Sequence, residues 1–471
     1  MKYRMRMLAK HRYQLRQLLG DTTREQACFL VCGTAQGRDE KIILVREVLA
    51  LEPGDLLIHA PDQLSVNPDA MLRVARRAKK LNGSICMVHT HPMCHGEVEF
   101  SRADDYGNIR TFEFFSCMLP GQINSCLVWD APLECVAGRA YESVQSWKKI
   151  SAIEVVSGEC RSVHHERKHQ RFEIGQIFDR QARLLGKEGQ HHLSTLRVVI
   201  VGCGGIGSVA SSLLVHSGIR HITLIDFDKA DVTNLPRLLG SNPMDVQNGR
   251  NKADIARRYI QDHVPDVEVI VLNHPVEEPS IVSHLVSADL IVSCTDNTTS
   301  RAYINQLCHQ YFVPVLDLGV QFGADVESGK LVKEVGRVNL MLPGSACMCC
   351  TGHIDPQRLA LESLSREDQE KRRAEGYVIG SDVEEPSMMA FNMQVAARGI
   401  QLCTQWITGL KPIDTTAYEA FRFIGLNGEP GMKPVRKRSD SQCLFCGVNS
   451  SLLGVGNLAS MLVKPRFHAV A

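Results

Sequence analysis

A glycine-rich turn in the middle of the chain, Gly202-Cys203-Gly204-Gly205-Ile206-Gly207, constrains the fold more than any other segment. The apolar run Val198 to Val201 precedes it, and a helix-like run from Ser208 to Ser217 and a second apolar run from Ile222 to Ile225 follow it. Strand, glycine turn, helix and strand in this order predict a βαβ unit. Such a turn lets backbone N–H groups approach a phosphate at the N-terminus of a helix.

The chain has 471 residues, too many for one ordinary domain, so two or three domains are expected. The polar, poorly periodic residues 157–172 predict a linker between a first domain, 1–156, and a second, 173–471. A formal net charge of +1 argues against nucleic acid as the main partner. No apolar run approaches the roughly 20 residues that span a bilayer, so no membrane partner is expected. The 17 cysteines and the lack of a signal-like start indicate a cytoplasmic protein.

The first domain alternates strand-like and helix-like runs, so an α/β fold is expected. Cys28 to Cys32 is typical of a buried strand, and Asp69 to Asn82 of an amphipathic helix. Residues 1–20 predict an opening amphipathic helix. Ile85 to Val88 predicts a strand that ends at His89.

Three potential metal ligands follow this strand. His89 and His91 are one residue apart at a strand end, so their side chains point to the same side. With a carboxylate further on, Asp104, they offer three ligands and leave a fourth position open for water, as catalytic zinc requires. Zinc lowers the pKa of water toward 7, and a carboxylate must then carry the proton to the leaving amine. The pattern predicts a zinc hydrolase site.

The same segment, over about residues 20–150, resembles the JAMM (JAB/MPN) metalloprotease family. That family has a Glu, then His-x-His-Pro, then Ser-x-x-Asp, which correspond to Glu25, His89 to Pro92, and Ser101 to Asp104. The resemblance implies a mixed sheet with flanking helices. It also implies that Glu25 shuttles protons and that Ser101 hydrogen-bonds the developing oxyanion.

One departure from that family affects the ligands. Nine residues separate His91 from Ser101, where the family usually has seven. The insertion either lengthens a loop or shifts ligation toward His95 or Asp105.

The glycine turn alone fits either an ATP site or an NAD-dependent oxidoreductase. Asp226, at the end of the second strand, suits a ribose hydroxyl in both cases. A carboxylate that attacks the α-phosphate of ATP brings two anions together, so fixed cations must offset the repulsion. A dehydrogenase needs no such group of Arg, Lys and Mg²⁺.

The surrounding runs resemble the ThiF/MoeB and ubiquitin-activating family over about residues 175–450. They are Phe178 to Gln190, Leu224 to Asp228, Thr233 to Arg237, Gly249 to Lys252, and Cys294 to Asn297. The resemblance implies a Rossmann-like, dimeric adenylating domain that uses ATP and Mg²⁺. Its nucleotide-binding residues would be Gly202, Gly204, Gly205, Gly207, Asp226, Asp228, Asn234, Arg237, Lys252 and Asp296.

The resemblance also implies individual roles in the nucleotide site. Asp226 would bind the ribose, and Arg237 and Lys252 would contact phosphates. Asp296 would hold Mg²⁺. Arg180 would reach the ATP site of a partner subunit, which implies a homodimer.

Two Cys-x-x-Cys motifs lie late in the chain, in Cys347-Met348-Cys349-Cys350 and Cys443-Leu444-Phe445-Cys446. Cys347, Cys350, Cys443 and Cys446 predict a closed, structural four-thiolate zinc site, and the ThiF/MoeB pattern agrees with this. Cys349 leaves the choice of ligands open.

Many relatives carry a cysteine, before a late helix, that takes the activated carboxyl group as a thioester. Here residues 376–386 contain none, and Cys403 is expected in the core of that helix. The enzyme either stops at the adenylate, or has lost the function of this loop, or uses Ser381 to form an oxyester. Serine needs a base for this, and Asp382 and Glu384 are close in sequence.

Together these patterns predict a bifunctional enzyme with one catalytic and one structural zinc. The first domain would process or deconjugate a small ubiquitin-like β-grasp protein, and the second would adenylate its C-terminal carboxylate for a separate conjugating enzyme. Activation of a sulfur-carrier protein for cofactor or amino-acid biosynthesis is the alternative. A non-catalytic scaffold is the third reading, and the intact Glu25, His89, His91, Asp104 and Asp296 argue against it.

Overall fold

The computed structural model describes residues 1–143, 146–159, 161–164, 175–264, 266–325, 328, 330–364, 367–368, 371, 386–425 and 429–462. Within these ranges the chain forms two α/β units, each built on an eight-stranded sheet. The α/β fold class is therefore as predicted.

The first unit is a mixed sheet that closes on itself. Its strands are β1 (Lys2–Leu8), β2 (Ala27–Gln36), β3 (Glu40–Ala50), β4 (Leu56–His59), β5 (Leu64–Val66), β6 (Ser84–His91), β7 (Ser125–Asp130), β8 (Val136–Ser143), β9 (Ser146–Val156) and β10 (Arg161–His164). The helices are α1 (Ala9–Leu18), α2 (Pro68–Lys80) and α3 (Arg102–Met118). The strand order is β1-β3-β2-β6-β7-β8-β9-β10, and β1 also pairs with β9. Strands β4 and β5 form a separate hairpin.

The chain begins with a strand followed by a helix, so the expected single helix over residues 1–20 is wrong. Tyr3, Met5 and Met7 alternate with Arg4 and Arg6, which is the period of a strand. The three apolar side chains are buried in the core of the first unit. The two arginines are buried as well, each against carboxylates. Ion pairs thus stabilise the two arginine side chains in the interior. Because arginine usually lies at the surface, the sequence does not show that both faces of this strand are buried.

Strand β10 lies in the segment that the sequence predicts as a linker. It pairs antiparallel with β9, so the first sheet extends beyond residue 156. Backbone hydrogen bonds alone join an added edge strand to its neighbour, and they need no apolar pattern. The division of the chain at residues 156 and 173 stays a prediction.

The second unit contains the predicted βαβ arrangement. Its strands are β11 (Arg197–Val201), β12 (His221–Ile225), β13 (Glu268–Leu272), β14 (Leu290–Ser293), β15 (Val315–Ala324), β16 (Leu331–Met341), β17 (Ala417–Arg422) and β18 (Gly431–Arg436). The helices are α4 (Asp179–Thr195), α5 (Gly205–His216), α6 (Pro243–Gln247), α7 (Lys252–His263), α8 (Val282–Ser287), α9 (Thr298–Tyr311), α10 (Pro356–Glu362) and α11 (Met389–Ile407).

The second sheet has the order β13-β12-β11-β14-β15-β16-β17-β18. The strands from β13 to β15 are parallel, and β16 to β18 continue the sheet antiparallel. Cys403 is buried in the core on α11, as expected. Among the described residues, no helix combines the length and apolar character needed to cross a membrane.

A buried ion network around Arg4 joins the two units. Its guanidinium group contacts Glu154 and Glu40 of the first unit and Asp289 of the second, the last at 2.5 Å. Burial opposes the charge, but these three carboxylates raise the pKa of Arg4 above its usual value. Neighbouring Arg6 donates to three backbone carbonyl groups of the second unit. The two units are therefore packed against each other through charged groups that are removed from water.

Candidate functional site

Three ligand-type side chains meet at the C-terminal end of β6. The strand carries His89 and His91, and Asp104 lies in the first turn of α3. Nε2 of His89 is 2.9 Å from Oδ1 of Asp104, and Nε2 of His91 is 3.2 Å from Oδ2. Ser101 begins the helix and fixes the carboxylate, because its N–H donates to Asp104 Oδ2 at 2.6 Å. The structure thus brings together the residues that the sequence predicts as ligands.

This group fits a zinc ion. One nitrogen of each histidine and one carboxylate oxygen of Asp104 all lie within 4.8 Å of one another. Neither ring nitrogen of His89, which is buried, has a well-aligned hydrogen bond in the described part of the chain. Burial raises the pKa of Asp104, but the close approach of the His89 and His91 rings lowers it well below its usual range. Two imidazoles and an ionised carboxylate match the three protein ligands of a catalytic zinc site.

Glu25 lies beside these ligands, just before β2. Because Ala27 pairs with His89 across the sheet, the chain preceding β2 passes the end of β6. Oε1 of Glu25 is 4.0 Å from Nε2 of His91. Burial raises the pKa of Glu25, the two histidines lower it, and Asp104 raises it, with a net upward shift. A carboxylate with a raised pKa suits proton transfer near neutral pH.

The longer loop after β6 keeps its extra residues away from the ligands. Asp130, at the end of β7, accepts from the N–H of Gly96 at 3.0 Å. His95 is exposed, and Asp105 forms an ion pair with Arg139 at 2.5 Å. Neither His95 nor Asp105 belongs to the ligand group. Asp130 is not among the residues predicted from the sequence. Its one signal there is that an acidic residue ends an apolar strand.

The glycine turn after β11 forms a cradle at the N-terminus of α5. Gly202 has φ +88°, and a Cβ on Gly207 would lie 1.8 Å from the carbonyl oxygen of Gly202. A Cβ on Gly205 would lie 2.4 Å from Nδ2 of Asn392, whereas one on Gly204 would meet nothing within 4 Å. No side chain caps the N-terminus of α5. Open space thus faces uncapped backbone N–H groups, which is the geometry that binds phosphate.

The acidic residue at the end of β12 is buried beside this cradle. The carboxylate of Asp226 accepts from the N–H groups of Cys203, at 2.7 Å, and Asp228, at 2.8 Å. Burial raises the pKa of Asp226 to about 6, although Lys252 opposes the shift. Lys252 donates to Asp228 at 2.8 Å. Burial alone would lower the pKa of Lys252, but Asp228, Asp226 and Asp296 raise it, so the ammonium group stays charged.

The other predicted nucleotide residues lie near the same edge of the sheet. Buried Asn234 accepts from the N–H of Asp231 at 3.2 Å. A Cβ on Gly205 would lie 3.4 Å from the carbonyl oxygen of Arg237, so the backbone of Arg237 borders the cradle. Asp296 is exposed in the segment after β14.

The remaining catalytic predictions are Arg180 and Ser381. Arg180 is exposed in the first turn of α4. Ser381 and the acidic residues next to it lie outside the described residues.

The two Cys-x-x-Cys motifs come together. The sulfur atoms of Cys347 and Cys443 are 3.6 Å apart, as are those of Cys350 and Cys446. A tetrahedral zinc with Zn–S bonds of about 2.3 Å places its sulfurs about 3.8 Å apart, so the four thiols fit the ion. Cys349 is exposed and outside the group of four.

Comparison with known proteins shows similarity to adenylyltransferases and to ubiquitin-like modifier-activating enzymes. The profile of the ThiF family matches residues 178–444, more than half of the chain. Molybdopterin-synthase adenylyltransferase of Escherichia coli (strain K12) is 28% identical over 181 residues, 38% of this chain and 68% of that protein. Ubiquitin-like modifier-activating enzyme 5 of Rattus norvegicus is 30% identical over 191 residues, 36% of this chain and 44% of that protein.

Among solved structures, Microcin C7 biosynthetic enzyme MccB in complex with N-formylated MccA is 21% identical, with a TM-score of 0.46. The match covers 58% of this chain and 75% of MccB. A likeness at this level carries no statement about function. The chain spans less than half the length of the rat relative.

Proposed function

Because the chain belongs to the ThiF family, we propose that its second unit uses Mg-ATP to adenylate the C-terminal carboxylate of a small ubiquitin-like β-grasp protein. The uncapped N-terminus of α5 at the open Gly204 position carries this proposal, since it provides a phosphate cradle next to Asp226. Two relatives are named as an adenylyltransferase and as a ubiquitin-like modifier-activating enzyme, which supports this choice of reaction.

The charged residues around the cradle suit this reaction. A carboxylate oxygen forms a bond to the α-phosphorus while the bond to pyrophosphate breaks, and both reactants are anions. The ammonium group of Lys252 and the guanidinium group of Arg237 offset this repulsion. Asp226 accepts from the ribose, and exposed Asp296 holds Mg²⁺, which leaves with pyrophosphate. Arg180 completes the site of a second subunit in a homodimer.

The first unit hydrolyses a bond to the same carboxyl terminus, either to mature a precursor or to release the protein from a target. His89, His91 and Asp104 would hold a zinc ion, which would supply Lewis acidity and lower the pKa of a water molecule toward 7. Glu25 accepts the proton of that water and passes it to the leaving amine. The hydroxyl of Ser101 accepts from Asp104 N–H at 3.1 Å, so its own O–H remains to donate to the oxyanion.

The four thiols hold a second, structural zinc, because four thiolate ligands leave no open position. Residues 376–386 contain no cysteine, so the acyl group passes from the adenylate to a separate conjugating enzyme or to the hydroxyl of Ser381, and AMP is released. Intact-mass measurement with Ser381→Ala distinguishes these routes. An adduct that resists thiol and yields to hydroxylamine must disappear in this variant if the oxyester forms there.

ATP–pyrophosphate exchange with purified small β-grasp proteins tests adenylation. Lys252→Met is expected to abolish exchange, whereas Lys411→Met, at an exposed position after α11, keeps it. Trimming of tail-extended versions of the same proteins tests the hydrolase. Glu25→Gln is expected to slow trimming about 10²–10⁴-fold while zinc content and exchange remain. If no such protein is trimmed or supports exchange, the proposal fails.

Activation of a sulfur-carrier protein is the second candidate. The similarity to a molybdopterin-synthase adenylyltransferase and the absence of a cysteine in residues 376–386 favour it. Incubation with the carrier protein, ATP and a sulfur donor distinguishes the two functions. Replacement of the terminal carboxylate by a thiocarboxylate, seen as a mass gain, supports the sulfur-carrier function, and its absence beside active conjugation rules it out.

A further inference from the structure

A second polar cluster lies beside the cradle and plays no part in the reaction as described so far. It consists of Thr295 after β14, Arg301 on α9, Asp317 on β15, and Arg337 and Asn339 on β16, and is called the arginine pocket below. Asp317 pairs with Asn339 across the two strands. The pocket thus forms where the parallel strands give way to antiparallel ones.

The arginine pocket adjoins the cradle directly. A Cβ on Gly202 would lie 2.8 Å from the carbonyl oxygen of Cys294, so the segment after β14 touches the glycine turn. Thr295 is the next residue, and its carbonyl accepts from Nη2 of Arg301 at 2.7 Å. The guanidinium group of Arg301 is therefore hydrogen-bonded to the backbone of the residue that directly follows Cys294, and Cys294 borders the glycine turn.

The charged groups of the arginine pocket lie close together. Asp317 is fully buried, with Nε of Arg337 at 2.8 Å and Nε of Arg301 at 3.7 Å. Burial raises the pKa of Asp317, but both arginines lower it, so the group is an anion. Two cations thus share one buried carboxylate, and the exposed Asp296 is a further acidic group that acts on Arg301. Both arginine side chains keep 17% of their surface exposed, so the pocket is open to solvent.

Five side-chain atoms of the pocket have no hydrogen-bond partner in the ranges that the structure describes. They are Oγ1 of Thr295, Nε of Arg301, Nη2 of Arg337, and Oδ1 and Nδ2 of Asn339. Buried polar atoms are normally paired with protein, water or a ligand. Four of the five can donate, which suits a bound anion with oxygen acceptors.

We propose that the arginine pocket binds the terminal carboxylate of the protein substrate and presents it to the α-phosphate of ATP. This inference rests on the proposed adenylation. One carboxylate oxygen bonds to the α-phosphorus while the phosphorus–oxygen bond to pyrophosphate breaks, and pyrophosphate leaves with Mg²⁺. The arginines hold the other oxygen, so they remove the negative charge that would repel the triphosphate. Arg301 and Arg337 are thus determinants of substrate recognition.

Acetyl-diglycine with a free carboxylate and its C-terminal amide are suitable probes, because they differ in charge and have no side chain. Titrations use the full chain with Mg²⁺ and a non-hydrolysable ATP analogue. The wild type is expected to bind the carboxylate at least about tenfold more tightly, since charge-assisted hydrogen bonds are the stronger ones. Arg337→Met and Arg301→Met are expected to lose this preference. Arg436→Met, at an exposed position on β18, is the matched control that keeps it.

Removal of either arginine takes away a cation that stabilises the buried carboxylate of Asp317. Asn339→Leu therefore provides a second variant that changes no charge. It is expected to weaken carboxylate binding and leave nucleotide binding unchanged. In pyrophosphate exchange, all three variants are expected to raise KM for the protein substrate at least about tenfold, with KM for ATP unchanged.

The outcomes separate this inference from the proposed function. A wild type that binds both probes equally, or binds neither, overturns the inference even if exchange occurs. Exchange that is unchanged in all three variants also overturns it, because the cluster is then structural. A carboxylate preference that the arginine variants abolish, in a protein that shows no exchange with any substrate, supports the arginine pocket and refutes adenylation.

Discussion

Two glycines of the cradle, Gly207 and Gly204, predict opposite results when each is replaced by alanine. In Gly207→Ala the new Cβ would lie 1.8 Å from the carbonyl oxygen of Gly202, and neither atom belongs to a flexible side chain. The backbone must separate by more than 1 Å to restore an ordinary contact. Overpacking of this kind typically costs about 1–3 kcal/mol, and a backbone clash belongs at the upper end or above.

Gly204→Ala changes only the open side of the cradle. Its φ is −74° in an extended conformation, and a Cβ there meets no protein atom within 4 Å. The lower entropy of the unfolded chain and the weaker capping by alanine oppose each other, so the free energy of unfolding stays within about 1 kcal/mol of the wild type. The methyl group lies where a phosphate approaches the helix. Loss of one charge-assisted hydrogen bond, about 1.5–3 kcal/mol, weakens nucleotide binding roughly 10–150-fold.

Chemical denaturation and titration with an ATP analogue measure the two effects on the same samples. Gly207→Ala is expected to unfold at lower denaturant concentration, and Gly204→Ala to unfold like the wild type but bind nucleotide weakly. A Gly204→Ala protein with wild-type affinity would refute the assignment of the cradle to phosphate. A Gly207→Ala protein with wild-type stability would refute the close packing of the turn.

Three further predictions concern charge and metal. Arg4→Met leaves Glu40, Glu154 and Asp289 buried without their shared cation, so denaturation is expected to show a loss of about 3–5 kcal/mol; an unchanged midpoint would contradict this. Cys446→Ser is expected to lower the zinc content from two ions to one and to lower Tm, whereas Cys349→Ser, outside the four-thiol group, keeps both values. The pKa of Asp226, raised to about 6, makes the folded apo chain hold its proton longer than the unfolded chain, so stability falls as pH rises from about 4 to 6. Nucleotide affinity rises over the same range as the acceptor ionises, and Asp226→Asn should remove both trends.

Local spacing is what made the sites predictable. The residues His89 and His91 form one strand end, and Cys347 and Cys350 form one turn, so sequence distance translates into position. The glycine turn is equally local, because the contact between Gly207 and Gly202 spans five residues. The partners of these groups, Asp104 and Cys446, follow from the chemistry that the first residues require, and from the family resemblance.

Contacts between residues that are far apart in the sequence could not be predicted in this way. Arg4 meets Asp289 across 285 residues, and the basic side chains of β1 indicate a surface until these carboxylates are known. Arg301, in the first turn of α9, and Arg337, on β16, approach each other only because both lie beside Asp317 on β15. A single sequence contains no periodic signal for such meetings, so the interface and the arginine pocket emerge from the fold alone.

The interface lies between the two proposed active sites. Strand β2 begins beside Glu25 at the metal ligands and ends near Gly37, where a Cβ would touch Ser287 of the second unit. Ten residues of extended chain span about 33 Å. Strand β11 begins at Arg197, which pairs with Glu40 at 2.8 Å across the interface, and ends at the cradle. The sites therefore occupy the outer ends of both units, and the buried network of Arg4 fixes this arrangement. If both proposed activities operate, a carboxyl terminus released at the first site must leave it before it can reach the second, so cleavage and adenylation would be separate binding events.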